Sequence, residues 1–253
     1  MTLTPLSEHG IAVSGPHCAQ GLRLPVAPPN GPGRIIAIEG TDGVGRSTQV
    51  QLLREWLEIR GYGVVETGLT HSRLMETTIE LAKSSNSLNP LTFVLLYACD
   101  FADRMEKEIL PALSAGFIVL ADRYIYTAIA RACVRGVDSQ WLRRLYGFAI
   151  APHIVFYLNI DTNTLVRRVL NNGGISYWES GMDMRFGDDI FDNFRGYQRR
   201  LLRAYSAMSK EFGFHVLDGR LPVDTIQEEL RRQVGLFLDE KPTNVESELQ
   251  SCG

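Results

Sequence analysis

The junction between Arg34-Ile35-Ile36-Ala37-Ile38-Glu39 and the turn Gly40-Thr41-Asp42-Gly43-Val44-Gly45-Arg46-Ser47-Thr48 constrains this chain more than any other feature. A short, nearly all-apolar run predicts a strand buried on both faces. The glycines after it permit backbone conformations closed to other residues, so that successive N–H groups can turn toward one point and form an anion nest. Beyond Arg46, the apolar positions Val50, Leu53 and Leu57 recur at helical spacing to about Arg60, and Gly61 lies past the end. A strand, a glycine turn and a helix in that order put the positive end of a helix behind the nest.

The spacing Gly40-x4-Gly45-Arg46-Ser47 matches the phosphate-binding P-loop, with arginine where lysine is usual. Ser47 can offer its hydroxyl to Mg²⁺, and Arg46 can reach the outer phosphates of ATP. Arginine keeps the charge and can bind phosphate bidentately, but its planar fork is wider than an ammonium. It could hold ATP and still misplace the transferring phosphoryl, and that reaction depends chiefly on positioning.

The rest of the chain repeats the alternation. Strands are predicted at Gly63 to Glu66, Phe117 to Ala121, His153 to Asn159 and Phe214 to Leu217. A long helical stretch runs from about Pro90 to Ala115, stopped by Gly116. A second helix begins near Asp188, with Ile190, Phe194, Tyr197, Leu201, Tyr205 and Met208 spaced by three and four, and a third runs from Val223 to about Leu238. Apolar strands separated by helices imply an α/β fold, a parallel sheet covered on both faces. Residues 1–33, rich in Pro and Gly, read as a flexible extension; residues 34–239 form the domain, and 240–253 a polar tail.

With 253 residues and a formal net charge of −3, the chain has no general basic surface for a nucleic acid polymer. The first residues lack a basic region and an apolar run, so no signal peptide is expected, and no apolar run of about 20 residues occurs in the sequence. Cys18, Cys99, Cys133 and Cys252 form no CxxC pair or metal-ligand spacing and read as free thiols, so a cytoplasmic protein is expected.

Further residues now fall into step with one family. Ile38-Glu39-Gly40-Thr41-Asp42-Gly43 with Ser47-Thr48-Gln49, Leu95-Leu96-Tyr97-Ala98 with Asp100, Glu106, Ile109 to Leu113, Asp122-Arg123-Tyr124 after a strand, and Phe156-Tyr157-Leu158 resemble the thymidylate kinases. The resemblance spans about residues 34 to 238. It implies a three-layer P-loop fold with a five-stranded parallel sheet, a mobile lid, a homodimer, and transfer of the γ-phosphoryl of MgATP to a nucleoside monophosphate, dTMP first. By that resemblance Gly40, Asp42, Gly43, Val44, Gly45, Arg46, Ser47 and Thr48 hold the donor phosphates. Asp42 accepts from the sugar 3′-hydroxyl of the acceptor, Tyr97 stacks on its base, and Arg123, beside Tyr124, grips its phosphate. Arg46 and Arg123 stabilise the charge in transit, while Ser47 and Asp122 position Mg²⁺.

Duller roles stay open at several of these positions: Asp42 as a helix cap, Tyr97 as core, Asp122 and Arg123 as a structural ion pair. The chain also departs from the family. The family's base-reading arginine falls at Phe101, with Arg104 one turn on, and Phe101, Arg104 and Tyr124 are expected among the acceptor-binding residues. The arginine after the second strand is replaced within Thr67-Gly68-Leu69-Thr70-His71-Ser72-Arg73. Ala130-Arg131-Ala132 stands for Ala-Tyr-Gln, and Tyr177-Trp178-Glu179 lacks the preceding arginine of the lid. Arg73, Arg104, Arg131 and Arg185 could supply the missing charge or be solvated. Trp178 with Met182 and Met184 could form an apolar lid face or simple packing. These departures leave two alternatives: a kinase for another monophosphate, and an ATP-binding regulatory protein with little transfer.

Overall fold

In the computed structural model, residues 31–69, 72–85, 89–171, 181–184, 186–187 and 189–239 are described. Five strands, β1 (Arg34–Glu39), β2 (Val64–Gly68), β3 (Ile118–Asp122), β4 (Ile154–Asn159) and β5 (His215–Asp218), form one sheet in the order β2-β3-β1-β4-β5, every pairing parallel. The second strand lies one to two residues further along than its apolar run suggests. Thr67 and Gly68 pair with Ala121 and Asp122 through backbone groups that need no apolar side chain.

The helices are α1 (Arg46–Ile59), α2 (Glu76–Ser85), α3 (Pro90–Arg104), α4 (Leu110–Ser114), α5 (Ile125–Val134), α6 (Ser139–Leu145), α7 (Thr162–Asn171), α8 (Ile190–Phe212) and α9 (Val223–Asp239). The long stretch from Pro90 is not one uniform α-helix: Met105–Ile109 is a π-helical segment between α3 and α4. Pro111 supplies the reason. It has no N–H to donate and its ring crowds the carbonyl four residues back, so the ladder loosens there. At α8, Asp189 accepts from the N–H groups of Phe191 and Asp192, both at 2.8 Å, and so places the start.

Alternation along the strands builds two cores. Ile35, Ala37, Val119, Ala121 and Tyr157 face α3, α5 and α8. Ile36, Ile38, Leu120, Phe156 and Leu158 face α1, α7 and α9. Each central strand is therefore buried on both sides, as its composition predicts. Because β3 and β4 flank β1 on opposite sides, the chain reverses direction across the sheet beside the carboxyl end of β1, where open α/β sheets form their ligand crevice. Among the described residues no helix is long and apolar enough to cross a membrane. Residues 1–30, the tail from 240, Cys18, Cys252, Tyr177, Trp178, Glu179, Arg185, Thr70, His71 and Asp188 lie outside the described residues.

Candidate active site

The turn after β1 has the nest's geometry: Gly40, Gly43 and Gly45 have φ of 151°, 79° and 100°. Gly45 is the N-cap of α1, so the helix's first N–H groups open toward the turn. Arg46, the first helical residue, folds its side chain back into the protein and is only 6% exposed. Its Nη1 donates to the carbonyl oxygens of Gly40 at 2.5 Å and Thr41 at 2.7 Å, and its Nε donates to Asp122 Oδ1 at 2.6 Å. The other carboxylate oxygen of Asp122 accepts from Ser47 Oγ at 2.7 Å. Ser47 and Asp122 thus bring hard oxygen donors together at the mouth of the turn. No group of three or more His, Cys, Asp or Glu side chains suited to a metal ion exists among the described residues. Two oxygens fit Mg²⁺, which keeps most of its shell for phosphate and water.

Across the cleft, Arg123 has φ 73°, the sole positive value at a non-glycine among the described residues. The end of β1 holds this conformation from both sides: Arg123 N–H donates to Ile38 O at 3.0 Å, and Tyr124 N–H to Glu39 Oε1 at 2.9 Å. Glu39 Oε2 accepts from Thr127 Oγ1 at 2.5 Å, which meets Tyr205 Oη at 2.7 Å. Glu39 is fully buried. Burial raises its carboxyl to about 7, against the opposing bonds from Thr127 and Tyr124 and the charges of Arg46 and Arg123. Sequence reading gave Glu39 no role; its signal is a carboxylate closing an otherwise apolar strand.

Asp42 joins the two sides. Arg123 forms an ion pair with its Oδ1 and Arg131 of α5 donates to its Oδ2, while Arg46 Nη2 is 4.0 Å from Oδ1. Arg131 also lines a narrow, largely apolar cleft with Phe93, Val94, Tyr97, Arg135 and Tyr146. Its aromatic walls suit contact with the face of a flat ring. Arg135 is bound in turn, its guanidinium gripping both oxygens of Asp183 at 2.7 and 3.1 Å and donating to Tyr197 Oη at 2.7 Å.

Tyr97 is therefore in the cleft, but Phe101, Arg104 and Tyr124 are not among its lining residues. Phe101 packs edge-on against Tyr124 with centroids 5.0 Å apart. Arg104 is buried, donating to Asp100 Oδ2 at 2.9 Å and Thr67 Oγ1 at 2.7 Å, and its Nη2 has no hydrogen-bond partner among the described residues. Arg73 is exposed. On the other side of the turn, Gly43, Val44, Gln49, Arg168 and Leu221 border a larger, open groove. Arg168 braces it, donating to Val44 O at 3.1 Å and Gly219 O at 2.7 Å.

Comparison with known proteins agrees with this architecture. The family profile described as thymidylate kinase matches residues 38–230. A probable thymidylate kinase 2 of Saccharolobus solfataricus is 39% identical, covering 82% of this chain and 98% of that one. A probable thymidylate kinase of Thermococcus kodakarensis is 32% identical over 82% of this chain and all of its own length. A thymidylate kinase of Gloeobacter violaceus is 29% identical over 84% and 99% respectively.

Proposed function

Since the chain belongs to the thymidylate kinase family, we propose that it transfers the γ-phosphoryl group of MgATP to dTMP, giving dTDP and ADP. The observation that carries this reading is a junction: Asp42, inside the phosphate turn, is paired with Arg123 and Arg131 on the side of the apolar cleft. One carboxylate therefore spans a donor site and an acceptor site.

The turn from Gly40 to Thr48 binds the donor phosphates through its backbone amides, and the groove beside Arg168 takes the rest of the donor. The acceptor base lies in the cleft against Tyr97. Asp42 accepts from the sugar hydroxyl. Arg46 and Arg123, one on each side, stabilise the charge that spreads over the phosphoryl group as it crosses. No strong base is required, because the attacking phosphate oxygen is already anionic; orientation and cationic clamping do the work. Ser47 and Asp122 would hold Mg²⁺, which when bound neutralises phosphate charge.

The same reading includes a cytoplasmic homodimer. Leu91, Leu95 and Cys99 are exposed at four-residue spacing along α3, an apolar stripe that a second copy can cover. Light scattering on the purified chain is expected to give twice the monomer mass.

Activity is tested by ADP release with MgATP, with and without dTMP, followed by separation of the nucleotides. The expected result is dTDP at an enzymatic rate and a preference for dTMP over dUMP, CMP and AMP. Binding of ATP with no diphosphate formed from any of the four would overturn the reading.

A further inference from the structure

The two guanidinium groups on Asp42 are arranged as they would be around a phosphate. Arg123 takes one oxygen and Arg131 the other, and the side chains of all three keep some solvent exposure, at 19%, 22% and 12% for Arg123, Arg131 and Asp42. Arginine forks suit phosphate as well as carboxylate.

We propose that Arg131 is a second residue for the acceptor phosphate, working with Arg123, and that Asp42 occupies both forks as an internal anion until that phosphate displaces it. Displacement frees the Asp42 carboxylate to accept the sugar hydroxyl, so one exchange of partners completes both contacts. The position of Arg131 on α5 supports this division of labour: it lies on the wall shared by the Tyr97 cleft and the phosphate turn, where the 5′ end of a nucleotide seated in the cleft must pass. The inference rests on the acceptor site described above and adds a residue to it.

The test compares dTMP with thymidine, which differ only by the phosphate. Calorimetry on the full chain and on Arg131→Gln should show dTMP affinity falling about 10- to 100-fold in the variant, the range set by a charge-assisted hydrogen bond. Thymidine affinity should not fall, since Asp42 loses one of its two internal partners, and MgATP affinity should hold. The phosphate-dependent ratio is the decisive reading, because loss of a merely structural brace on Asp42 would weaken both ligands alike. An unchanged ratio overturns the role of Arg131 while leaving the kinase reading standing, provided the unaltered chain binds dTMP and forms dTDP. If it does neither, both fail. Should Arg131→Gln not fold, Arg131→Lys carries the same comparison; it keeps the charge without the fork and is expected to lose part of the ratio. Full retention by that variant together with unchanged salt dependence would equally overturn the proposal.

Discussion

Arg46 Nε donates to Asp122 Oδ1 at 2.6 Å, so the cation that opens α1 and the carboxylate that closes β3 hold one another across the mouth of the phosphate turn. The guanidinium has two further internal acceptors, Gly40 O and Thr41 O. Phosphate binding competes with these contacts. Arg46→Lys removes the fork and most of the three bonds, and should lower the stability of the nucleotide-free protein by about 1–2 kcal/mol. The upward shift of Tm produced by MgATP should then be larger in the variant than in the unaltered chain. Melting curves with and without MgATP check this, and equal shifts would show that the internal bonds do not compete.

Glu39 predicts a pH dependence whose sign follows from linkage. Its carboxyl rises from an ordinary 4.5 to about 7 on burial. Between those values the folded state holds more proton than the unfolded one, so stability falls as pH rises through this window. Above pH 7 the accumulated cost is about 3 kcal/mol. Glu39→Gln cannot ionise and can still accept from Tyr124 N–H. The variant should match the unaltered chain near pH 4.5 and exceed it in denaturant stability at pH 8. A difference independent of pH would rule out titration of Glu39 as its source.

The buried pair of Asp100 and Arg104 should behave asymmetrically. Asp100→Ala strands a guanidinium that is 1% exposed and removes the acceptor for Ser72 N–H, so a loss of about 3–5 kcal/mol is expected. Adding Arg104→Met, an apolar side chain of similar length, should recover most of it. Urea denaturation of both variants decides the matter. Equal losses would mean that the cost lies in the Ser72 contact rather than in the unpaired charge.

Gly43 is required for two separate reasons. Its φ of 79° is costly for other residues, and an added Cβ would lie 2.6 Å from Val169 Cγ2 on α7. Gly43→Ala should cost about 1–3 kcal/mol and abolish most of the protection MgATP gives against heat. Val169→Ala in the same chain relieves the collision but not the backbone strain. Part of the stability should therefore return, with nucleotide protection still reduced.

Much of this was legible from residues close together in the chain. The glycine turn, the apolar strands and the periodic face of α8 report local backbone preferences and one-sided burial, and both leave regular spacing behind. Two details were harder to read. The end of β2 escaped because Thr67 and Gly68 join the sheet through backbone bonds that composition does not register. The π segment from Met105 to Ile109 escaped because it keeps a helical pattern while changing its bonding.

Arg104 and Arg131 mark the boundary more sharply. Both appear in the sequence as arginines on helical stretches, with nothing to separate them. Folding places Arg104 in the core against Asp100 and Thr67, and Arg131 at the cleft against Asp42, 89 positions away. Dihedral preference and hydrophobic spacing over a few neighbours set the phosphate turn and the alternating strands and helices, so both can be read along the chain. Which cations meet which carboxylates follows from the fold alone, because a charge carries no record of its partner until the order of strands in the sheet brings the two together.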